Sequence, residues 1–336
     1  MGFSNQREFH FMADAKVLFL HGLHPKIVEA IVSFNPKGFN TVIMDGKTPE
    51  AQQIEAVKDA DFIMNFRAKV TVPFLRAAKK ARLLQVLSAG YDQFDLKLMR
   101  ELGIPVANNG GANSWAVADN AVLAMLTLYR RMPHADPAVR AGKWQAAIDG
   151  MNTFEMANKV VGIMGFGNIG QKVAKRVQAF DAKVQYYDKY PLEPEREKAL
   201  GAKRVTLEEL FRTSDILTFH APLTKDTHHV IGGKYLAMMK PTAIVINTSR
   251  GEVVDEAALY EALRDRKIAG AGLDVFEQEP VDPKSPLLTL DNVVLSPHTA
   301  GTTWDTWFRR ADFAYKNFQR VWAGEAPLAA ATGYDE

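Results

Sequence analysis

Cysteine is absent from all 336 residues. That excludes disulfides, thiolate metal sites and cysteine nucleophiles together, and it suits a reducing compartment, so a cytoplasmic location is expected. Charge of one sign is also lacking: 41 Lys and Arg stand against 39 Asp and Glu, a net charge of +2. Nothing there resembles the basic footprint of a nucleic-acid or membrane-surface binder, and neither partner is expected. No apolar run approaches the roughly 18–20 residues that a membrane-spanning helix needs. Residues 1–16 have no continuous apolar stretch and do not read as a signal peptide. Met12 can serve as an internal start, which would make the residues before it an unstructured extension. Solenoid-period repeats, low-complexity segments and metal-ligand spacings are missing too, so no metal is expected.

What the chain does have is the 47% hydrophobic and 24% charged balance of a soluble globular protein, at a length that allows two domains. Short β-branched runs at 17–20, 41–44, 62–66, 83–87 and 104–107 alternate with stretches rich in Ala, Glu, Lys and Leu. A second series lies at 159–164, 183–187, 215–219, 243–247, 269–275 and 292–295. Alternation of this kind specifies βαβ units and parallel sheets, and six strands in series are expected of a dinucleotide-binding sheet. Apolar residues at helical spacing predict one long helix over 114–132, with a last, aromatic helix over 304–322. That last helix follows the second sheet and is expected to return to the first domain. The fold expected is α/β, with a Rossmann-type domain at 113–301 inserted into a flavodoxin-like substrate domain at 1–112 and 302–336. Such an insertion would leave a cleft that opens and closes.

The run Val160-Val-Gly-Ile-Met-Gly165-Phe-Gly167-Asn-Ile-Gly170 carries G-x-G-x-x-G directly after an apolar strand and before a helix. Gly165 permits the tight turn, Gly167 the approach of pyrophosphate, and Gly170 close packing of helix on strand. The N–H groups of Asn168 and Ile169 would face the phosphates, assisted by the helix N-terminus. Asp188, ending the next strand, can accept the adenosine ribose hydroxyls and would repel a 2′-phosphate, which favours NAD. Lys189 beside it softens that rejection, so NADP stays the second option.

Three later strand-like runs end in ionisable residues: Arg250, Glu279 and His298. In open α/β sheets ligands sit beyond the carboxyl ends of strands, so one edge would hold all three. Reducing a 2-oxo acid adds hydride to the carbonyl carbon and a proton to its oxygen. Arg250 can grip the carboxylate and polarise the carbonyl. A histidine suits the proton donor, and a hydrogen-bonded carboxylate favours the imidazolium. The competing reading of each, a surface ion pair, weakens when all three follow a nucleotide turn.

At this point the chain resembles the D-isomer-specific 2-hydroxyacid dehydrogenase family over almost its whole length. The resemblance rests on the glycine turn, Phe219-His220-Ala-Pro222-Leu-Thr224, Asn247-Thr-Ser-Arg250-Gly-Glu-Val-Val-Asp255, Leu273-Asp274-Val-Phe-Glu-Gln-Glu279-Pro280 and Ser296-Pro-His298-Thr-Ala-Gly301. It implies that Arg250, Glu279 and His298 are catalytic, with Asp274 near the nicotinamide carboxamide. It implies a cofactor cleft lined by His220, Ala221, Pro222, Thr227, Thr248, Ser249 and Gly301. Ser88, Ala89 and Gly90 would receive the substrate carboxylate through backbone N–H groups, and D-stereospecificity and a homodimer through the helix at 114–132 follow from the resemblance alone. The chain departs from the family at Val117-Ala-Asp119-Asn120, where a Glu-His pair is usual, and at 154–159, which lacks the usual glycines. Glutamate at 279, rather than glutamine, argues against formate as substrate. Little chain follows the last helix, so no added regulatory domain is expected.

Substrate choice is less legible. Arg67 can reach an anionic tail of a 2-oxo acid, or be a solvated loop residue. Trp115, Trp304 and Trp307 can cover a pocket, or pack in the core as tryptophans at helical spacing more often do. The rival from another class is an NAD(H)-sensing binding protein or co-regulator that keeps the same site without turnover. An inorganic oxyanion such as phosphite would call for a basic residue at 88–90, and none is there.

Overall fold

A computed structural model describes residues 14–144 and 150–333, so Met12 and its neighbours lie outside the described residues. The chain forms two compact units, one running to Asn113 and resuming at Thr303, the other spanning Ser114–Thr302.

The first unit holds β1 (Ala15–His21), β2 (Phe39–Asp45), β3 (Phe62–Phe66), β4 (Leu83–Val86) and β5 (Val106–Ala107). All pair in parallel, in the order β2-β1-β3-β4-β5, which is flavodoxin-like. Alternation along each strand splits the core. Leu18, Leu20, Ile63, Leu84 and Val86 face one cluster, while Val17, Phe19, Phe62, Met64 and Leu83 face the other. Thr303 caps the helix Trp304–Trp322 by accepting from the Thr306 N–H at 3.2 Å. That helix lays Trp307, Ala311, Ala314 and Phe318 onto the second cluster, with the Phe318 and Phe62 ring centroids 4.8 Å apart. Trp307 is therefore a core residue, 2% exposed, the packing alternative of the two open for it. Trp304 stays exposed, edge-on to Phe308.

In the second unit β6 (Val160–Met164), β7 (Lys183–Tyr187), β8 (Ala202–Arg204), β9 (Ile216–Phe219), β10 (Ile244–Asn247), β11 (Gly270–Leu273) and β12 (Val293–Leu295) form one parallel sheet. Its order is β12-β11-β10-β9-β6-β7-β8. Among the described residues, seven strands replace the six expected. β8 escapes a pattern search because it is short and two of its residues, Lys203 and Arg204, are exposed; only Ala202 is buried. Strand order reverses between β6 and β9, the switch point where such sheets bind ligands. The helix expected over 114–132 ends at Tyr129, and a second one, Met132–Arg140, follows a break at Arg131, whose φ is 51°. Among the described residues no helix is long and apolar enough to cross a membrane.

Candidate active site

The glycine turn begins where β6 ends. Gly165 has a φ of 86°, and a side chain there would run into the backbone of His220 and Ala221. A Cβ on Gly167 would meet nothing within 4 Å, so the turn leaves open space on that side. Gly167 also caps the helix Asn168–Gln178 without any side-chain hydrogen bond, which leaves the first-turn N–H groups, Asn168 and Ile169 among them, to an outside acceptor. Gly170 packs against the Gly165 carbonyl, closing helix onto strand. Asp188 lies past β7 and grips the same turn: Oδ2 accepts the Phe166 N–H at 2.6 Å and Oδ1 the Tyr190 N–H at 2.9 Å. These residues fit a dinucleotide, with space for pyrophosphate at Gly167 and a carboxylate held beside it.

Across the switch point, His220 follows β9. Its Nε2 lies 2.9 Å from the Thr218 hydroxyl and its Nδ1 3.4 Å from that of Thr248. Burial pushes the imidazole down to about 3, so this ring is neutral near pH 7 although an edge of the residue stays accessible. Thr227 is occupied within its own turn, donating to the Pro222 carbonyl at 2.7 Å and accepting from the Thr224 N–H. The Ser249 hydroxyl donates to Asn247 Oδ1 at 2.7 Å.

Arg250, Glu279 and His298 follow three neighbouring strands, β10, β11 and β12. The Asn247 amide donates to the Arg250 carbonyl at 2.8 Å, and Arg250 Nη1 donates to the Ser249 carbonyl at 2.7 Å. Gly251 seats this turn against the Phe276–Glu277 backbone, which a side chain would displace. His298 Nδ1 and Glu279 Oε2 are 2.6 Å apart, with Oε1 accepting the Phe276 N–H at 3.1 Å. The two side chains keep 43% and 36% exposure, so the pair is open to a reactant. His298 has a φ of 53°, an unfavourable backbone state for a non-glycine residue that its surroundings must impose.

Those surroundings are Asp274, buried at 2% exposure. Its Oδ1 accepts the Ser296 hydroxyl at 2.5 Å and the Thr299 N–H at 2.9 Å, its Oδ2 accepts the Ala300 N–H at 2.9 Å, and its carbonyl accepts the His298 N–H at 2.7 Å. One carboxylate thus pins the loop on both sides of His298. Sequence reasoning placed Asp274 near the cofactor and missed this clamp. The available signal was a single acid just past an apolar strand, which does not say what it will accept.

Half-burial raises the Glu279 pKa, but the hydrogen bond and charge of His298, the Phe276 N–H and the Arg250 charge together hold it below its ordinary value. The carboxylate is therefore present above the ordinary range and is lost only as pH falls through the lower, folded-state pKa. In His298→Ala the two lowering contributions of the imidazole disappear while that of burial stays, so the Glu279 pKa should rise. A ¹³C NMR titration of the carboxyl checks this, and an unchanged or lower value in the variant contradicts it.

The profile of the D-isomer specific 2-hydroxyacid dehydrogenase NAD-binding domain matches residues 122–300. The chain belongs to this family. As a D-isomer-specific 2-hydroxyacid dehydrogenase, it is an NAD-dependent oxidoreductase of 2-oxo and 2-hydroxy acids on a Rossmann-type fold. The binding-protein alternative is not favoured. The dehydrogenase is 42% identical to a glyoxylate reductase of Korarchaeum cryptofilum, over 82% of this chain and 83% of that one. It is 38% identical to a glyoxylate/hydroxypyruvate reductase B of Yersinia pestis, over 85% and 89% respectively. Rhodotorula graminis D-mandelate dehydrogenase superposes with a TM-score of 0.83 at 28% identity, covering 95% of this chain and 98% of its own.

Ser88, Ala89, Gly90 and Arg67, predicted to meet the substrate, lie in the first unit. Ser88, Ala89 and Gly90 form a turn just past β4, where the Ser88 hydroxyl donates to the Gly90 carbonyl at 2.7 Å and the Asn108 amide to the Ala89 carbonyl at 2.9 Å. Arg67 is exposed just past β3, with a φ of 57°. Trp115 belongs to the second unit and lies under the Lys172 ammonium, 4.4 Å from its ring centroid. Among the described residues no group of three or more His, Asp or Glu is arranged to hold a metal.

Proposed function

We propose that this dehydrogenase reduces a short 2-oxo acid, with Arg250 as the carboxylate and carbonyl anchor and His298, oriented by Glu279, as the proton donor. The observation that carries the reading is the 2.6 Å contact between His298 Nδ1 and Glu279 Oε2. It commits Nδ1 to the carboxylate, so the proton delivered to substrate is the one on Nε2. NADH, when bound, would supply the hydride. As the carbonyl carbon gains it, the C=O electron pair moves to oxygen, and that oxygen takes the His298 proton while Arg250 offsets its growing negative charge. Glu279 keeps the imidazolium in place before transfer. The neutral His220 beside Thr248 adds no charge where nicotinamide is expected. In the first unit, the turn of Ser88, Ala89 and Gly90 is assigned to the substrate carboxylate.

The names of the relatives support glyoxylate and hydroxypyruvate as first substrates to try. Loss of NADH absorbance with glyoxylate, hydroxypyruvate, pyruvate, a branched 2-oxo acid and phenylpyruvate tests the reading. Silence across this panel with NADH still bound would overturn it.

Cofactor choice has its own test. In the proposed role Asp188 accepts the adenosine ribose hydroxyls and repels a 2′-phosphate. Asp188→Ala should then reduce the preference for NAD over NADP by about tenfold, the worth of one charge-assisted hydrogen bond of roughly 1.5 kcal/mol. An unchanged ratio of kcat/KM values would show that another residue reads the ribose.

We further infer a cytoplasmic homodimer. The lack of cysteine supports the compartment. Leu123, 61% exposed on the otherwise largely buried helix Ser114–Tyr129, supports a second copy packing there. Sedimentation of the purified protein distinguishes dimer from monomer.

A further inference from the structure

The turn that carries Glu279 divides its N–H groups between two carboxylates. Phe276 N–H donates to Glu279 Oε1 at 3.1 Å, and the next one, of Glu277, donates to Glu256 Oε1 at 2.8 Å. Glu277 returns the contact, its Oε1 accepting the Glu256 N–H at 3.2 Å. Glu256 is the first residue of the helix Glu256–Arg264, so its N–H has no partner within the helix. Two glutamates far apart in the chain thus each satisfy the other's backbone. The same Glu277 oxygen lies 2.9 Å from His229 Nε2. His229 is itself held in an unfavourable backbone state, with a φ of 50°, and donates its N–H to the Glu252 carbonyl at 2.9 Å.

Bringing two carboxylates together has a cost. Burial raises the Glu256 pKa, the Glu277 N–H lowers it and the Glu277 charge raises it again, for a net rise above the ordinary value. Closing the start of the helix does not require this arrangement, because the Asp255 side chain already caps the Ala258 N–H at 2.9 Å. What the pair adds is a fixed distance between two segments of the site. The Arg250 segment is anchored independently: the Asn247 amide holds the Arg250 carbonyl, Ile231 N–H donates to the Val253 carbonyl at 3.0 Å, and Asp255 N–H donates to the Ile231 carbonyl at 3.0 Å. The Glu279 turn meets that segment where Gly251 packs on the Phe276–Glu277 backbone. One packed contact leaves a point about which the turn can tilt, and the reciprocal hydrogen bonds remove that freedom.

We infer that Glu256 and Glu277 are positioning residues: as a reciprocal clamp, with His229 against Glu277, they hold the Glu279 turn on the Arg250 segment and so aim the Glu279 carboxylate at His298. This rests on the reading of Glu279 and His298 as the proton-donor pair. The effect passes through Glu279, whose Oε2 stands 2.6 Å from His298 Nδ1. A tilt that moved this carboxylate by about 1 Å would break the hydrogen bond, and misplacement of that size costs on the order of a hundredfold in rate.

The test measures kcat and KM with NADH and the best substrate of the panel above. Glu277→Ala should lower kcat by about ten- to a hundredfold. KM for the 2-oxo acid should stay nearly unchanged, because the Arg250 segment keeps its own anchors. Glu256→Ala removes the other half of the clamp and should give the same fall, so either variant carries the test if the other does not fold. Glu277→Gln, whose amide oxygen can accept from the same two donors, should recover most of the lost kcat. In a Glu279→Ala background there is no carboxylate to aim, so Glu277→Ala should add little, whereas a merely structural role makes the two falls multiply. A wild-type kcat in both alanine variants, a Glu277→Gln no better than Glu277→Ala, or multiplying falls would overturn the clamp and leave the proton-donor pair standing. A Glu279→Ala variant as fast as the wild type would overturn that pair along with it.

Discussion

Replacing His298 by alanine is expected to lower kcat by about 10²–10⁴-fold, the contribution of a positioned general acid, while NADH binds almost as before. The expectation follows from where the residue sits. Its Nδ1 is committed to Glu279, and its backbone is fixed by Asp274 in a state with φ of 53°. The phosphate turn at Gly165 and Gly167 follows β6, which is separated from β12 in the sheet by β9, β10 and β11. Loss of the imidazole therefore has no route to the pyrophosphate half of the cofactor site. Stopped-flow turnover with fluorescence titration of NADH separates the two quantities. A variant that turns over nearly as fast as the wild type would remove His298 from the proton-donor role. Glu279→Gln should give a smaller fall, since the imidazole remains but its charged form loses a partner.

Asp274→Asn is expected to lower kcat steeply and to destabilise the fold by about 1–3 kcal/mol, the cost of leaving a buried donor unsatisfied. The side chain is nearly isosteric, so the effect is electronic. Asp274 accepts the Ser296 hydroxyl and two backbone N–H groups with its two oxygens. An amide offers one accepting oxygen and an NH₂ that faces another donor. The loop around His298 would then relax, and a displacement of about 1 Å in a reacting group can cost on the order of a hundredfold in rate. Thermal unfolding and steady-state kinetics measure the two effects, and NADH affinity decides between roles. A clamp predicts a fall in kcat with NADH binding nearly kept. A large loss of NADH affinity with kcat preserved would instead favour the contact with the nicotinamide carboxamide that family resemblance implies.

The clamp shows why part of the site could not be read in advance. Gly165, Gly167 and Gly170 announce themselves because the turn, the strand before it and the helix after it are contiguous in sequence. Arg250, Glu279 and His298 could be placed on one edge because each follows an apolar run, and parallel strands all end on the same side. Asp274 also follows such a run, yet its partners at 296–300 belong to the next strand's loop, and pairing of loops is not written in either one. Trp307 and Arg310 show the same limit from the opposite direction. Their helical spacing was plain, but only the packed helix reveals that both turn toward Phe66.

By itself the sequence determined the α/β alternation, the dinucleotide turn and the set of ionisable strand ends, because periodicity, glycine placement and strand polarity are local properties. Tertiary structure alone decided three other things: the pairing of β8 at the sheet edge, the carboxylate that pins His298, and the stacking of both Arg67 and Arg310 on the Phe66 ring. Each depends on contacts between segments far apart in the chain. A residue's charge and hydrogen-bonding capacity are fixed by its type, but what it faces is fixed only when the core has packed.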